Sequence, residues 1–323
     1  MSNHDIIVIG TSAGGLETLG ILLASLPADL PAAVFIVQHL SGKTRSMLPS
    51  LLQKKTVLPV LEPSDGLPFA NGRIYVAPPD HHMLLWERTV RIIRGPPENR
   101  HRPAIDVLFR SAAWHHGPRV IGVVLTGCLD DGSAGLAAIK RCGGVAVVED
   151  PATARYASMP ANALAAVDAD AVAPVEKMAG LLVELVGQPA ADSRLFPVPE
   201  SIKIESRFAM MERGDMSQLG GSSELTCPSC HGVIWEMADE AVCRFRCHTG
   251  HAFSLSALAE EQAQGVEEAL YAAVRALQES SSIARRLAAR GLPDQQQHEG
   301  KAREFEAAAG VLRALLVSAA EKA

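Results

Sequence analysis

Nowhere in this 323-residue chain do about 18 uncharged apolar residues run together, the length a helix needs to cross a bilayer. The opening "MSNHDIIVIG" has no basic region, and its apolar run is too short for a signal peptide. A cytoplasmic location without membrane insertion is therefore expected. Strong charge of either sign is also missing: the formal net charge is −6, with 20% charged and 48% hydrophobic residues, an ordinary globular composition. A mild acidic excess gives no general attraction for polyanions, so nucleic acid is not an expected partner. No internal repeat is apparent. Cysteine is scarce, with six in all. Cys128 and Cys142 are isolated, whereas Cys227, Cys230, Cys243 and Cys247 crowd one short stretch. In a reducing compartment that clustering points to metal rather than disulfides.

The length suggests two domains. Up to about Val186, short β-branched runs alternate with helical periodicity. Strands are predicted at Asp5 to Ile9, Ala33 to Val37, Arg73 to Ala77, Val120 to Leu125 and Val145 to Glu149. Leu16, Leu19, Leu23 and Leu26 recur at helical spacing, and the strands are apolar on both faces. The pattern predicts an α/β fold with a doubly wound, mostly parallel sheet, a Rossmann-like three-layer domain over residues 1–186. The segment "MLLWERTVRIIRG", Met83 to Gly95, reads as an antiparallel hairpin at the sheet edge or over its face.

In residues 187–224, Gly, Pro, Ser and charges interrupt every apolar run, which reads as a linker. A cysteine-rich module follows over 225–253, then a helical hairpin over 254–323. Leu255, Leu258, Val266, Leu270, Val274 and Leu277 lie on one helical stripe, and Phe305, Leu312, Leu315 and Leu316 on the other. Such an apolar face needs cover, so docking to a signalling partner or self-association is expected there.

The stretch "GTSAGG" after the first strand admits two readings. A dinucleotide fingerprint requires glycine where Ser12 stands, and an acidic residue ending the second strand, whereas Asp29 precedes it. Gly10 to Gly14 do fit G-x-S-x-G, a serine on a tight strand-to-helix turn. A nucleophilic serine needs an imidazole to take its proton and a carboxylate to orient that imidazole. In parallel sheets functional side chains gather beyond the carboxyl ends of strands. His39 follows "AAVFIV", and Asp130 and Asp131 follow "VIGVVLTG". His81 and His82 follow a third strand end, His101 lies in a polar loop, and His115 and His116 lie near a helix end, so His39 is the best base. Taken singly, Ser12 is equally a helix cap, His39 a polar strand end and Asp131 an Asx-turn; only their joint placement favours hydrolysis.

The spacing Cys227-x-x-Cys230, then sixteen residues, then Cys247-x-x-x-His251 matches a tetrahedral structural zinc on two knuckles. Pro228 and Gly250 supply turn chemistry, and Cys243 and His248 rank below the chosen four. Four protein ligands would leave no open position, making the metal a staple rather than a catalyst. Arg244, Arg246 and His248 make this knuckle locally basic, which reads as the solvated face of a protein-binding module.

From Ile6 to Leu185 the chain resembles the CheB-type protein-glutamate methylesterases of bacterial chemotaxis. The resemblance rests on "IGTSAGG", "VQHL", "YVAPPDHHMLL", "RPAIDVLF", "GVVLTGCLDDGSAGL" and "EDPATARYASMP", in the family's order. It implies Ser12 as nucleophile, His39 as base and Asp131 as orienting carboxylate, with Asp130 at a variable position. It also implies hydrolysis of glutamate γ-methyl esters on the helices of chemoreceptors, glutamine deamidation, and no cofactor for catalysis. Backbone N–H groups after the nucleophile, Ala13 first, are expected to meet the oxyanion. Two departures stand out near the site: Leu129 replaces a usual glycine in "TGCLDD", and Pro79 replaces another in "APPDHHM". If the first glycine needs positive φ, Leu129 is expected to be strained or its loop rebuilt. The family's receiver domain has no counterpart here, so control is expected to differ. Residues from Leu225 to Arg290 resemble an extension found on some stand-alone relatives. A catalytically weak adaptor that recruits partners through this extension is the alternative reading.

Overall fold

The computed structural model describes residues 3–39, 46–212, 214–238, 242–290 and 294–320. Leu40 of the "VQHL" block and residues 291–293 between the terminal helices lie outside them. The first unit, Met1–Leu258, opens with β1 (Ile6–Thr11), α1 (Gly15–Ala24), β2 (Ala33–Gln38), α2 (Leu48–Gln53), β3 (Val60–Leu61), β4 (Leu67–Pro68) and β5 (Arg73–Val76). It continues with β6 (His82–Trp86), β7 (Thr89–Ile93), α3 (Ile105–His116), β8 (Val120–Val124), α4 (Ser133–Arg141) and β9 (Val145–Glu149). Then come α5 (Ser158–Ala166), β10 (Ala171–Ala173) and α6 (Val175–Gly187).

Seven strands form one parallel sheet in the order β10-β9-β8-β1-β2-β5-β3. Both of its faces are buried, as the continuous apolar strands require. Ile6, Val8, Phe35 and Val124 share a core with Leu108 and Phe109 of α3 and Leu136 of α4. Ile7, Ile9, Ile36 and Val123 share the opposite core with Leu19 and Leu23 of α1 and Leu182 of α6. This is the doubly wound, three-layer architecture expected from the pattern. Strand order reverses at β1, with β2 on one side and β8 on the other, the place where open α/β sheets gather functional side chains beyond the strand ends.

The expected hairpin is present as β6 and β7, but it joins β4 in a separate three-stranded antiparallel sheet instead of extending the main one. Met83, Leu85 and Val90 enter the α3 core, and Ser111 on α3 accepts a hydrogen bond from the Leu85 N–H at 3.0 Å.

Residues 187–224, read as a linker, hold α7 (Glu200–Ala209) and the start of β11 (Gly220–Thr226). The charges of α7 are what misled: Glu205 is buried together with Ile202, Ile204 and Phe208. β12 (Val233–Met237), β13 (Arg244–Cys247) and β14 (Ala252–Ser254) complete a four-stranded antiparallel sheet, β11-β12-β13-β14. Its own core is small: Cys227, Ile234, Phe245, Cys247, Phe253 and Leu258.

The basic face expected on this module is not solvated. Arg244 and Arg246 are 5% and 0% exposed, because carboxylates distant in sequence wait for them inside. Arg244 forms a two-pronged pair with Glu205 at 2.7 and 3.0 Å, and Arg246 bridges Glu98 at 2.9 Å and Glu205 at 3.1 Å. Arg110 on α3 holds both oxygens of Glu98 at 2.9 Å. Burial alone would raise the Glu205 pKa, but the charges of Arg244, Arg110 and Arg246 outweigh it and hold the carboxyl well below its ordinary 4.5. A depressed carboxyl contributes stability that is present above the ordinary value and lost as pH falls through and below it. Glu205→Gln is therefore expected to destabilise the protein by about 3–5 kcal/mol at pH 7. Melting curves between pH 3 and 7 should be flatter with pH in the variant; an unchanged melting temperature at pH 7 would remove this seam from the stability of the fold.

The second unit, Ala259–Ala323, contains most of α8 (Leu255–Ala288) and all of α9 (Gln295–Ala320). These helices pair as the expected hairpin. Ser281 donates to the Ala302 carbonyl at 3.0 Å, Arg285 pairs with Glu306, and Val274, Ala284, Ala302 and Ala309 are buried. Val266, Ile283, Val311, Leu315 and Val317 stay exposed.

Candidate active site

Ser12 follows the last residue of β1, on the turn that leads into α1. The turn is possible because Gly14 takes φ 78°, in the left-handed region that favours glycine, and caps α1. At Gly15 a Cβ would run into the side chains of Gln38 and Thr11, so a larger residue there would have to displace them. Thr11 and Gln38 are register partners on β1 and β2, and the next residues along are Ser12 and His39. The His39 N–H donates to the Thr11 carbonyl at 3.1 Å, and Gln38 Nε2 donates to the Ser12 carbonyl at 2.7 Å.

His39 Nδ1 lies 3.1 Å from Ser12 Oγ, and its Nε2 lies 2.7 Å from Asp131 Oδ2. Asp131 comes from the loop between β8 and α4 and is 1% exposed. It accepts further hydrogen bonds from the Ile105 N–H at 2.7 Å, the Asp106 N–H at 3.2 Å and Asn99 Nδ2 at 3.0 Å. Burial favours its neutral form, yet the His39 hydrogen bond and charge, the His101 charge and the Ile105 N–H together hold its pKa far below the ordinary 3.8. An ionised Asp131 must accept from Nε2–H, which leaves the Nδ1 lone pair for the serine proton. The three residues singled out from the sequence thus meet at one rim of the sheet.

Ala13 follows Ser12 where α1 begins, and its carbonyl accepts from Thr126 Oγ1 at 3.1 Å. Thr126 also accepts the Ser12 N–H on its carbonyl at 3.0 Å, so the Asp131 loop and the serine turn brace each other. Leu129 does adopt φ 62°. The left-handed conformation costs a side chain about 1 kcal/mol or more. Three contacts hold it there: Ser158 Oγ accepts the Leu129 N–H at 3.0 Å and donates to the Leu129 carbonyl at 3.5 Å, and Asn162 donates to the same carbonyl at 2.8 Å. The bond from Asp131 to His39 is intact despite the leucine.

Two site residues escaped the sequence reading. His101 stacks on His39 with ring centroids 3.5 Å apart and an 11° tilt. Burial, then the neighbouring His39 charge, lower its pKa to about 4, so it lies against His39 as a neutral ring at neutral pH. Asn99 is 5% exposed and donates to Asp106 Oδ2 at 2.9 Å as well as to Asp131. Neither belongs to a recognisable motif; only a turn running from Glu98 to His101 brings them in. Of the other candidate histidines, His81 places Nδ1 3.0 Å from the Pro79 carbonyl. His82 is fully buried in β6, with Nε2 donating to the Pro96 carbonyl at 2.9 Å, and His115 and His116 close α3.

In the C-terminal sheet, the ligand atoms of Cys227, Cys230, Cys247 and His251 all lie within 4.8 Å of one another. Cys230 and Cys247 sulfurs are 3.7 Å apart, and His251 Nδ1 is 3.4 Å from Cys247 and 3.7 Å from Cys227. Sulfurs about 2.3 Å from a tetrahedral zinc stand about 3.8 Å apart, so the donor set fits that ion. Cys243 points to Glu236 and His248 stacks on Trp235, outside the cluster.

The family model for CheB methylesterase matches residues 7–182. The chain belongs to the CheB methylesterase family. The crystal structure of the Thermotoga maritima CheB methylesterase catalytic domain superposes with a TM-score of 0.55 and 33% identity, covering 58% of this chain and all of that one. A Rhodospirillum rubrum protein-glutamate methylesterase/protein-glutamine glutaminase is 40% identical over 182 residues, 55% of this chain and 50% of its own length. A Leptospira interrogans protein provisionally given the same activities is 39% identical over 184 residues, 57% of this chain and 95% of its own. This CheB family chain thus spans about half the length of the first relative and nearly all of the second.

Proposed function

We propose that this CheB family chain hydrolyses glutamate γ-methyl esters on chemoreceptor-like helical proteins in chemotaxis-type signalling, and deamidates glutamine by the same acyl transfer. The observation that carries the reading is the continuous relay from Ser12 Oγ through His39 to Asp131, at 3.1 and 2.7 Å. His39 Nδ1 takes the serine proton as Oγ bonds to the ester carbonyl carbon. Asp131 stabilises the imidazolium, and the oxyanion is met by the Ala13 N–H at the positive end of α1. The ring returns its proton to the departing methoxide, releasing methanol; water then adds by the same route and frees glutamate and Ser12. Leu129 leaves Asp131 bonded to His39, so this departure in the loop does not favour the catalytically weak adaptor. Purified protein incubated with methylated receptor should release methanol at a steady rate, and no release above the spontaneous rate would end the reading.

Cys227, Cys230, Cys247 and His251 are the residues that would hold a structural zinc. The ion would fasten the two knuckles and take no part in ester chemistry. Elemental analysis should find about one zinc per chain, lost in Cys227→Ser and kept in Cys243→Ser. A metal-free native protein would refute the site. The exposed apolar residues of α8 and α9 favour docking or self-association through that hairpin.

A further inference from the structure

We infer that the four-ligand module belongs to the machinery that holds Asp131, with Asn99 as the positioning residue through which metal occupancy sets turnover. The inference rests on the hydrolase reading and extends it to the control of the same site.

The turn from Glu98 to His101 is closed by two backbone hydrogen bonds between its end residues, at 3.2 and 2.8 Å. Asn99 and Arg100 inside it have φ 49° and 70°. Consecutive left-handed residues are costly and persist only where surrounding contacts fix them. On one side those contacts go to the active site: the Asn99 amide donates to Asp131 and Asp106, and the His101 ring stacks on His39. On the other side they go to the module. The Asn99 N–H donates to the Ala252 carbonyl at 2.8 Å, the Ser254 N–H donates to Asn99 Oδ1 at 2.9 Å, and Arg246 grips Glu98.

The two ends of the Asn99 side chain therefore answer to different masters. Because the Ser254 N–H occupies Oδ1, the NH₂ end must face the carboxylates. Without β14 the Asn99 N–H and Oδ1 lose their partners and the left-handed turn loses the contacts that fix it, so Asp131 loses a donor that it shares with Asp106. A second strut runs beside the first: Asp130, next to Asp131, accepts from Ser254 Oγ at 2.7 Å and Ser256 Oγ at 2.6 Å.

The ligands stand directly beside these contacts. His251 precedes Ala252, Arg246 precedes Cys247, and the Gly250 carbonyl within the second knuckle accepts from Arg246 at 2.9 Å. The six-residue core is small and two of its members, Cys227 and Cys247, are themselves ligands, so closing the knuckles adds to the hold on β14 that the Arg246–Glu98 pair provides.

The test strips metal from the full chain with a chelator, with circular dichroism confirming that the helices persist, and then restores zinc. On a glutamate methyl ester, kcat should fall about 10²-fold with KM within about twofold, as expected when a catalytic group is misplaced by an ångström. The low-field proton resonance of His39 Nε2–H bonded to Asp131 should vanish with the metal and return with zinc. Asn99→Ala should keep its zinc and still show the same loss of kcat and of that resonance, whereas Cys243→Ser should match the parent throughout. Parental kcat in stripped protein, or in Asn99→Ala, overturns the inference. If Asn99→Ala does not fold, the chelation arm decides alone. If the parent releases no methanol, the hydrolase reading fails by itself; the low-field resonance then judges the coupling, and its survival in stripped protein sinks it.

Discussion

Replacing Ser12 by alanine is expected to lower kcat on a glutamate methyl ester by about 10⁶-fold, the scale set by removing the nucleophile from other serine hydrolases. The fold should not notice. The Ser12 backbone keeps its bonds to Thr126 and Gln38, and among the described residues the only side-chain partner lost is His39 Nδ1. Substrate should still bind, because KM reports contacts that the hydroxyl does not supply. What remains is a polarised carbonyl facing the Ala13 N–H and a base without a proton to take, leaving a residual rate some 10³-fold above water. Methanol release measured on the variant and the parent at saturating substrate decides the point. A loss below tenfold would mean that ester cleavage uses another nucleophile or none.

Asp131→Asn is expected to cost about 10⁴-fold in kcat, the magnitude seen when the orienting carboxylate of a serine triad becomes an amide. The reason lies in the four donors that converge on this carboxylate. On Oδ2 they are His39 Nε2 and the Ile105 N–H; on Oδ1 they are the Asp106 N–H and Asn99 Nδ2. An amide must turn its NH₂ toward one pair or the other, setting donor against donor. If it faces His39, the ring is driven to the tautomer that carries hydrogen on Nδ1, which cannot accept from Ser12. If it faces Asn99, the helix N-terminus and the turn are pushed apart. Because the native carboxyl ionises far below its ordinary 3.8, its own titration does not shape the rate profile near neutrality. Its stabilising effect, present above its ordinary value, fades only as pH falls below that value. Burial and the Asp131 charge raise the pKa of neighbouring Asp106 to about 8, and Asp131→Asn removes that charge, so the loss is read at pH 6 to 7, where kcat within tenfold of the parent would place the deficit elsewhere.

The sheet and its rim could be read from the chain because a parallel doubly wound domain makes strand ends meaningful. Ser12, His39 and Asp131 each follow a strand, and the strands are neighbours. The leucine at position 129 was also informative: the positive φ that a glycine would have taken there is present. Arg244, Arg246 and Glu205 were misread for one reason. A charged residue is ordinarily a surface residue, and pairing across 39 or 41 positions leaves no local trace. The same holds for His101 and Asn99, whose roles depend on a turn bent back onto two distant strands. Local periodicity reports which face of an element is buried. It carries no record of polar partners supplied from far along the chain.

The use of Nδ1 rather than Nε2 toward the serine has its own consequence. Nδ1 is the ring nitrogen nearer the backbone, so the atom facing Ser12 sits on a short tether whose anchor is β2 itself. Two parallel strands about 4.8 Å apart then set the span between alcohol and base, and little is left to rotamer choice. Mispositioning of this base should arise from sliding of β2 against β1, a motion that the register of the whole sheet resists.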